Sequence, residues 1–466
     1  SMNMINVRRL TVMTFLGAGM LSGISAQVSP LQVDTLKETK IPDQWDLQSC
    51  IDYAKEQNIT IRKNRITAVS TQIDVKTAKA ALFPSLSFST GHQVVNRPYQ
   101  ETSSRVSGSE IISSNSKTSY NGNYGLNASW TLYNGNKRLK TIQQEKLNNQ
   151  MAELDVATSE NNIQESIAQV YIQILYAAES VKVNENTLQV SIAQRDRGQE
   201  LLNAGSIAKS DLAQLEAQVS TDRYQLVTAQ ATLEDYKLQL KQLLELDGEN
   251  EMNIYLPALS DENVLAPLPT KRDVYISALS LRPEIEASKL NVEASELGIN
   301  IAKSSYFPTI SLSAGIGTNH TSGSDFTFGE QVKNGWNNSI GLSVSVPIFN
   351  NRQTKSAVQK AKLQYETSML SLLDEQKALY KTIESLWLDA NSAQQRYAAA
   401  NEKLKSTQIS YELSSEQFNL GMKNTVELLT EKNNLLQAQQ EQLQAKYMAI
   451  LNTQLLKFYQ GDQLAL

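Results

Sequence analysis

The chain contains very few of the residues from which metal sites and catalytic sites are built. It has one cysteine, Cys50, and two histidines, His92 and His320, among 466 residues. A single cysteine excludes an internal disulfide, and we expect Cys50 to be a small buried thiol. The two histidines lack convergent ligands, so they predict no metal site and are expected to be surface residues. No glycine-rich phosphate loop follows a predicted strand, and the sequence therefore indicates neither an enzyme nor a bound cofactor.

The sequence also lacks an excess of positive charge and, after its first residues, any long apolar run. The formal net charge is −5, whereas a nucleic-acid-binding protein needs a basic face. An apolar run at 10–24 follows Arg8 and Arg9 and precedes two small residues. This pattern is typical of a cleavable secretory leader, so we predict a signal peptide at 1–26 and a mature chain that begins near Gln27. No later run approaches the ~20 residues of a spanning helix, so any membrane crossing must use strands.

One short segment occurs twice in the chain. AKAALFPSLSFSTG at 78–91 returns as AKSSYFPTISLSAG at 302–315, with seven of fourteen positions identical. Each copy reads as a helix end, then Phe-Pro, then the alternation of a strand. Proline stops the helix and removes one backbone donor at the start of the strand. The repeat indicates two helix–strand units, with junctions at Phe83, Pro84, Phe307 and Pro308.

Two very long segments contain neither glycine nor proline. They span 136–197 and 352–420 and are rich in residues of high helix propensity. At 1.5 Å per residue, such helices would be roughly 90 to 105 Å long. They break at Gly205 and Gly421, after which helical sequence resumes within a few residues, so we predict two helical hairpin tips. Apolar residues in the second long segment recur at spacings of four and three, which predicts coiled-coil packing. The predicted seam consists of Leu379, Ile383, Leu386, Ala390, Ala393, Tyr397, Ala400 and Leu404.

Four segments alternate apolar residues with small polar residues, which is the period of a strand. They lie at 86–90, 124–132, 310–316 and 340–346. A soluble sandwich would show the same alternation. The polar set is almost wholly small and uncharged, however, and aromatic residues stand at the strand ends, which favours membrane strands around a wet lumen. The predicted membrane-interface aromatics are Trp130, Tyr133, Trp336 and Phe349.

Four membrane strands cannot close into a barrel by themselves. In a bilayer each unsatisfied backbone group costs several kcal/mol, so open edges are excluded, and the smallest membrane barrels have about eight strands. Two chains would give eight strands and a filled barrel, whereas three chains would give twelve and leave room for a channel. We therefore predict a homotrimer.

The two-fold repeat, the Phe-Pro junctions, the segment VPIFNNR at 346–352 and the two glycine-bearing tips resemble the TolC-type outer membrane factors. The resemblance covers nearly all of the mature chain. It implies a mixed α and β membrane protein, in which a trimeric twelve-stranded β-barrel, four strands per chain, continues into a long periplasmic α-helical barrel. No cysteine stands at the predicted cleavage site, so the chain is expected not to be lipidated.

The function that the resemblance implies is an exit duct in the outer membrane of a Gram-negative bacterium. Such ducts serve a tripartite efflux pump or a type I secretion system. They dock with a periplasmic adaptor and with an inner membrane transporter or secretion ATPase. The alternative is a non-conducting secreted or periplasmic coiled-coil scaffold, although it leaves the aromatic strand ends unexplained. The resemblance does not indicate the transported substrate.

The predicted organisation consists of the leader, two repeats and an equatorial linker. Ser1 ahead of Met2 is expected to be a residue added in cloning. Each repeat begins with a helix and ends with a returning helix. The first repeat is 27–246, with a β-hairpin at about 85–132, a long helix at 136–201 and a tip at 203–209. The linker is 247–270, and the second repeat is 271–466, with a β-hairpin at about 309–348, a long helix at 352–420 and a tip at 419–425.

The resemblance also assigns a closed-state link at the periplasmic tips, where an adaptor is expected to dock around Gly205 and Gly421. Counted from these glycines, Asp211 and Lys423 match the acidic and basic partners of the link. Phe418 stands where the family can have a tyrosine, so a hydroxyl bond is lost there. Ordinary solvated helix charges are the alternative interpretation of Asp211 and Lys423.

An acidic ring in the pore is implied in the same way. Glu427 matches the first acidic position of the ring, and Thr430 replaces the second acid. Glu431 lies one residue further round the helix, and whether it compensates for Thr430 stays open. A ring of three Glu427 carboxylates would favour cations at the constriction.

Overall fold

The computed structural model describes residues 39–99, 103–107, 110–114 and 117–466. The predicted signal peptide lies outside these residues. The chain divides into a short unit, Ser1–Ile41, and a large unit, Pro42–Leu466. All the helices and strands of the described residues belong to the large unit.

Four long helices form two hairpins. Helix α3 (Lys137–Asn203) is followed by α4 (Lys209–Leu243), and α9 (Gln353–Asn419) is followed by α10 (Thr425–Gln460). The two longest helices have 67 residues each, which corresponds to about 100 Å at 1.5 Å per residue. Their bounds lie within two residues of the helices that the sequence predicts at 136–201 and 352–420.

Shorter helices precede the strands, and a four-residue helix lies in the linker. In chain order they are α1 (Leu47–Gln57), α2 (Ile59–Ala80), α5 (Asp261–Val264), α6 (Lys271–Leu281) and α7 (Pro283–Lys303), with a 3-10 turn at Ser304–Tyr306. Helices α2 and α7 pack on α3, and α7 also packs on α9. None of the helices within the described ranges is both long enough and apolar enough to cross a lipid bilayer.

The strands form one open antiparallel sheet of four. Strands β1 (Ser85–Asn96), β4 (Thr118–Asn134), β5 (Thr309–Thr321) and β6 (Asn337–Ser345) lie in the order β1-β4-β5-β6. Strand β1 therefore begins directly after Pro84 and β5 directly after Pro308. The first connection contains a separate hairpin, β2 (Ser103–Ser107) with β3 (Glu110–Ser114), and the second contains helix α8 (Phe328–Asn334).

The register keeps the two predicted faces of the sheet apart. One cross-strand row joins Ser87, Asn127, Gly315 and Ser339, and the next joins apolar residues, with Leu86 opposite Ala128 and Ala314 opposite Ile340. The apolar face is uncovered, because Leu86 is 69% exposed and Ile340 is 78% exposed. A soluble sandwich would bury this face, so the sheet lacks the packing that a soluble sandwich requires.

Two details of the strands differ from the simple alternation. Leu132 falls in a β-bulge between Thr131 and Tyr133, so that Tyr133 rather than Leu132 pairs with Ile310 on the apolar face. A bulge inserts one residue and moves every later side chain to the other face. Strand β6 ends at Ser345 instead of reaching 348. Only Val346 separates this end from Pro347, which has no N–H to donate.

The main hydrophobic core lies where the N-terminal helix meets α3, α10 and the linker. Trp45, Tyr171, Leu240 and Tyr397 are among its fully buried side chains. Cys50 belongs to this core, and burial raises the pKa of its thiol to about 12. The expectation of a small buried thiol is confirmed.

The predicted seam of α9 is confirmed. Six of its eight side chains are buried and the other two, Leu386 and Leu404, are partly buried. The linker packs against this helix: the indole Nε1–H of Trp387 donates to the carbonyl of Pro269 at 3.1 Å, and the amide of Gln394 donates to that of Ala266 at 2.8 Å. The helix therefore has buried contacts along the middle of its length.

Candidate functional site

Both helical hairpins turn at a glycine in the left-handed region. Gly205 has φ +71° and Gly421 has φ +74°. The N–H of Ser206 donates to the carbonyl of Leu201 at 2.8 Å, and that of Met422 donates to the carbonyl of Gln417 at 2.8 Å, which closes each helix end. No atom lies within 4 Å of the position of a Cβ at either glycine. Backbone conformation, rather than space, therefore requires glycine at the tips.

The acidic residues at the tips cap the helices that leave them. The N–H of Ala208 donates to Oδ2 of Asp211 at 3.0 Å. The N–H of Glu427 donates to Oδ1 of Asn424 at 2.8 Å, and the N–H of Asn424 donates to Oε2 of Glu427 at 3.3 Å. A carboxylate at this position also interacts favourably with the positive end of the helix dipole. Asp211 and Glu427 thus have a local role in addition to any role in a pore.

The structure does not join Asp211 to Lys423 within one chain. Among the ion pairs of the described ranges, none links these two residues. The Lys423 ammonium instead donates to Oγ of Ser414 at 2.9 Å. Phe418 is only 3% exposed and packs with Leu215 and Leu428. Its ring therefore belongs to an apolar cluster between the hairpins.

The three residues of the predicted acidic ring differ in their surroundings. Glu427 is exposed, and Thr430 is exposed with its hydroxyl donating to the carbonyl of Val426 at 2.8 Å. Glu431 is partly buried, and its Oε2 accepts a hydrogen bond from the hydroxyl of Ser410 on α9 at 2.9 Å. The carboxylate of Glu431 is therefore engaged by α9, whereas that of Glu427 is open to solvent.

A buried polar cluster near the tips was not predicted from the sequence. The Lys432 ammonium is paired with Oδ2 of Asp222, and the hydroxyl of Ser191 is bonded to both groups. The side chains of Lys432 and Asp222 are 4% and 2% exposed. Burial lowers the pKa of the Lys432 ammonium, and the adjoining carboxylate partly opposes this shift.

A signal for this cluster does exist in the sequence. Lys432 stands four residues after Leu428 and three before Leu435, both of which are buried, and Asp222 follows Val219 at a spacing of three. These are positions of a helix seam, where apolar residues are expected. A charged residue at a seam position on each of two helices indicates an ion pair between them.

Aromatic side chains lie at both ends of the sheet. The indole of Trp130 donates to the carbonyl of Leu82 at 2.8 Å, which fixes it beside the first helix–strand junction. The indole of Trp336 donates to Oδ1 of Asn338 at 3.1 Å at the opposite end. The group at the helical end, mostly exposed, consists of Phe83, Trp130, Tyr133, Phe307 and Phe349.

The two histidines meet on the apolar face at the end of the sheet that is far from the long helices and beside α8. The ring centroids of His92 and His320 are 6.3 Å apart, and His320 packs edge-on against Phe328. His92 is exposed as predicted, whereas His320 is partly buried. In the part of the chain that the structure describes, no group of three or more potential ligands is placed to hold a metal ion.

A sheet with an uncovered apolar face, joined to helices about 100 Å long, defines a class of protein that inserts strands into a bilayer and extends helices from it. A family model described as outer membrane efflux protein matches residues 50–245 and 274–461. The chain belongs to the outer membrane efflux protein family. The resemblance to TolC-type outer membrane factors and the predicted location in the outer membrane are thereby confirmed.

Several relatives are similar along much of the chain. Outer membrane efflux protein BepC of Brucella suis is 24% identical over 63% of this chain and 61% of its own length. TolC of Escherichia coli is 24% identical over 61% of this chain and 58% of its own length. These two alignments therefore span less than two thirds of either relative. Toxin and drug export protein A of Aggregatibacter actinomycetemcomitans is 22% identical over 89% of this chain and 87% of its own length.

Solved structures share the fold. CusC superposes with a TM-score of 0.76 at 18% identity, covering 90% of this chain and 92% of that chain. VceC from Vibrio cholerae superposes with a TM-score of 0.72 at 16% identity, covering 90% and 97%. The part of the predicted fold class that concerns a single chain is confirmed: the chain has long helices and a sheet of four strands.

Proposed function

We propose that three copies of this chain form a closed barrel of twelve strands in the outer membrane, continued by a helical barrel in the periplasm. The observation that carries this proposal is a four-stranded sheet with two open edges, β1 and β6, and an uncovered apolar face. Unpaired backbone groups at these edges would each cost several kcal/mol in a bilayer. Three chains supply twelve strands and leave a lumen lined by the small polar face.

Exposed apolar side chains on the long helices are available for contacts between chains. The two helix–strand units act as internal repeats that take equivalent places in the ring. Single hydrophobic residues on a surface are common, but a repeated exposed row along a helix indicates a partner. Such exposed apolar side chains on α4 and α9 include Val227, Leu363, Leu370, Leu373 and Ile409.

The duct serves as the outer membrane exit of a tripartite efflux pump or of a type I secretion system. The small, uncharged polar face of the sheet supports passage of varied solutes, because it offers no specific binding group. A periplasmic adaptor docks at the tips, where Leu420, Met422 and Val426 are exposed around Gly421. An inner membrane transporter or secretion ATPase supplies the substrate. The proposed duct needs no catalytic group and no cofactor.

The experiment that tests this function is single-channel recording in planar bilayers, combined with membrane fractionation. The duct predicts an outer membrane protein that gives discrete conductance steps after purification. A non-conducting coiled-coil scaffold predicts a protein of the soluble fraction that gives no steps. To avoid mistaking a closed duct for a scaffold, the recording includes the variant with weakened tips, Lys423→Met with Asp211→Asn.

We predict that this variant opens more often than the native protein. In the proposed ring, Lys423 of one chain pairs with Asp211 of its neighbour, and an exposed pair contributes about 0 to 1 kcal/mol. Asparagine can still accept the hydrogen bond from the N–H of Ala208, so the substitution removes charge but preserves the cap of α4. Equal open probabilities for the variant and the native channel would count against the link.

We predict that Glu427→Gln lowers the cation selectivity of the channel. Three Glu427 carboxylates at the constriction attract cations, and glutamine retains the capping interaction with Asn424 because either side chain can complete the box. The measurement is the reversal potential under a salt gradient. Glu402→Gln, which removes an exposed charge from α9, is the matched control. Equal reversal potentials for the native protein and Glu427→Gln would exclude the ring.

A further inference from the structure

The two helix–strand units of the chain correspond at fixed shifts in residue number. A shift of 224 residues carries Pro84, before β1, onto Pro308, before β5. A shift of 216 residues carries Asn136, before α3, onto Arg352, before α9. These two residues share a left-handed backbone, with φ +64° and +66°, which is uncommon for residues other than glycine. The two units therefore agree in backbone conformation as well as in sequence.

The two β-hairpins of the sheet have the same register under these shifts. In the first hairpin, Ser89 of β1 lies opposite Gly125 of β4. The shifts of 224 and 216 residues turn this pair into Ser313 and Gly341, which lie opposite each other in β5 and β6. Correspondence between the units therefore gives the right strand pairing wherever one chain contains both strands.

The pairing of β4 with β5 joins the two units, and it has no counterpart within one chain. Ser129 of β4 lies opposite Ser313 of β5. Under the same shifts this pair becomes Ser345 of β6 and Ser89 of β1, but these strands lie at the two edges of the sheet. In a closed barrel the strands share one tilt, so the stagger repeats at every equivalent step. The counterpart must then form between β6 of one chain and β1 of its neighbour.

The contact of α3 with α7 also joins the two units, and its counterpart would place α2 of a neighbour on α9. The amide of Gln144 on α3 donates to the carbonyl of Ala294 on α7 at 3.2 Å. Its nitrogen lies 3.7 Å from the position of a Cβ at Gly298. The shifts turn Gln144 into Lys360 on α9 and Gly298 into Asp74 on α2, so two opposite charges would meet there. Both are exposed, and neither belongs to an ion pair among the described residues.

Apolar side chains near this contact differ in the same way. Leu147 and Leu290 each lie one turn from the hydrogen-bonded residue of their helix; Leu147 is 9% exposed, and Leu290 is partly buried. Their counterparts are Leu363 on α9, which is 61% exposed, and Ile66 on α2, which is 58% exposed. Side chains that are covered where the two units meet within a chain are thus uncovered at the equivalent place. A second copy of the chain would supply the missing cover.

We propose that each chain receives its neighbour along α9 and β6, where α2 and β1 of the neighbour take the places that α7 and β5 take on α3 and β4. This inference rests on the proposed trimeric barrel. It adds the strand register, in which Ser345 lies opposite Ser89 of the neighbour, and an ion pair between Lys360 and Asp74 of the neighbour. The competing possibility is that the same two edges pair in a register shifted along the strands, which would hold these two charges apart.

Disulfide formation in outer membranes tests the register. The variant is Ser345→Cys with Ser89→Cys, because facing residues of antiparallel strands have Cα atoms about 4.5–5.5 Å apart, which a disulfide can span. The matched control is Ser345→Cys with Ser85→Cys, whose second thiol lies on the same face but four residues, or about 13 Å, further along β1. The only native thiol, Cys50, is fully buried with a raised pKa, so it does not compete.

The proposed register predicts covalent trimers on denaturing gels after mild oxidation of the variant, and single chains for the control. Covalent trimers in the control instead, or no crosslink in the variant although native mass spectrometry gives a trimer, would overturn the register and leave the trimer intact. If the unoxidised protein has the mass of a single chain, the proposed trimer fails and the inference falls with it.

Exchange of the two charges tests the helical contact. Lys360→Glu should raise the rate at which trimers dissociate in detergent by about fivefold, because it replaces an attraction with a repulsion between exposed charges. Lys360→Glu with Asp74→Lys should restore the native rate. Lys362→Glu is the matched control, since it changes an exposed lysine two residues away, on another face of α9. If the exchanged pair dissociates as fast as Lys360→Glu alone, the proposed seating of α2 on α9 is wrong.

Discussion

Replacing Lys432 with methionine should lower the free energy of unfolding by about 3–5 kcal/mol, because it leaves the Asp222 carboxylate buried without its partner. The side chains of both residues are almost completely buried. Methionine is similar in length to lysine and fills most of the same space, so the loss reports the missing charge rather than a cavity. Urea unfolding in detergent, followed by far-UV circular dichroism, measures the change.

Two further variants isolate the ion pair as the cause. The double variant Lys432→Met with Asp222→Leu should recover most of the lost stability, because replacing both members of a buried pair with apolar residues is often neutral or stabilising. Lys405→Met, at an exposed position of α9, should change the stability by less than about 0.5 kcal/mol. If the double variant is as unstable as the single variant, the pair is not what stabilises this contact.

Gly135→Ala should be the most disruptive substitution at the junction between the sheet and the helices. Gly135 has φ +68°, and a Cβ there would lie 2.6 Å from the carbonyl oxygen of Ser304 and 3.1 Å from its Cα. Ser304 belongs to the turn that leads into β5, so the exit of the first hairpin and the entry of the second are in contact here. Backbone atoms cannot move aside as a flexible side chain can. The overlap therefore adds to the strain that alanine would have in the left-handed backbone conformation at this position.

Gly205→Ala is the matched control for this prediction. Gly205 has nearly the same backbone conformation, with φ +71°, but no atom lies within 4 Å of its Cβ position. Gly205→Ala should lower the free energy of unfolding by about 1–2 kcal/mol, which is the cost of a left-handed backbone for a residue with a Cβ. Gly135→Ala should lower it by the same amount and by about 1–3 kcal/mol more, because of the overlap with Ser304. Equal losses of stability in the two variants would show that the contact with Ser304 is unimportant.

The long helices and their tips were predictable from the sequence because local chemistry determines them. The segments around Leu379 and Ile383 carry an uninterrupted seam without glycine or proline, and Gly205 and Gly421 are the only residues at the tips whose backbone conformation is left-handed. Strand starts were equally clear, because Pro84 and Pro308 directly precede β1 and β5.

What the sequence could not supply depends on which elements meet in three dimensions. Lys432 and Asp222 lie 210 residues apart, and the period of one helix does not tell which partner faces its seam. Phe418 was assigned to a polar gate by its distance from Gly421, yet its ring packs into the contact between the hairpins. The bulge at Leu132 arises from pairing with β5, so alternation within β4 alone could not reveal it.

In the proposed trimer, one chain supplies a third of a closed barrel. Native mass spectrometry of the protein extracted from outer membranes in detergent tests it most directly. The open edges of β1 and β6 and the uncovered apolar face predict a single assembly with three times the mass of one chain. A stable particle with the mass of one or two chains would rule out the proposed trimer, because four or eight strands cannot enclose the lumen that a duct requires.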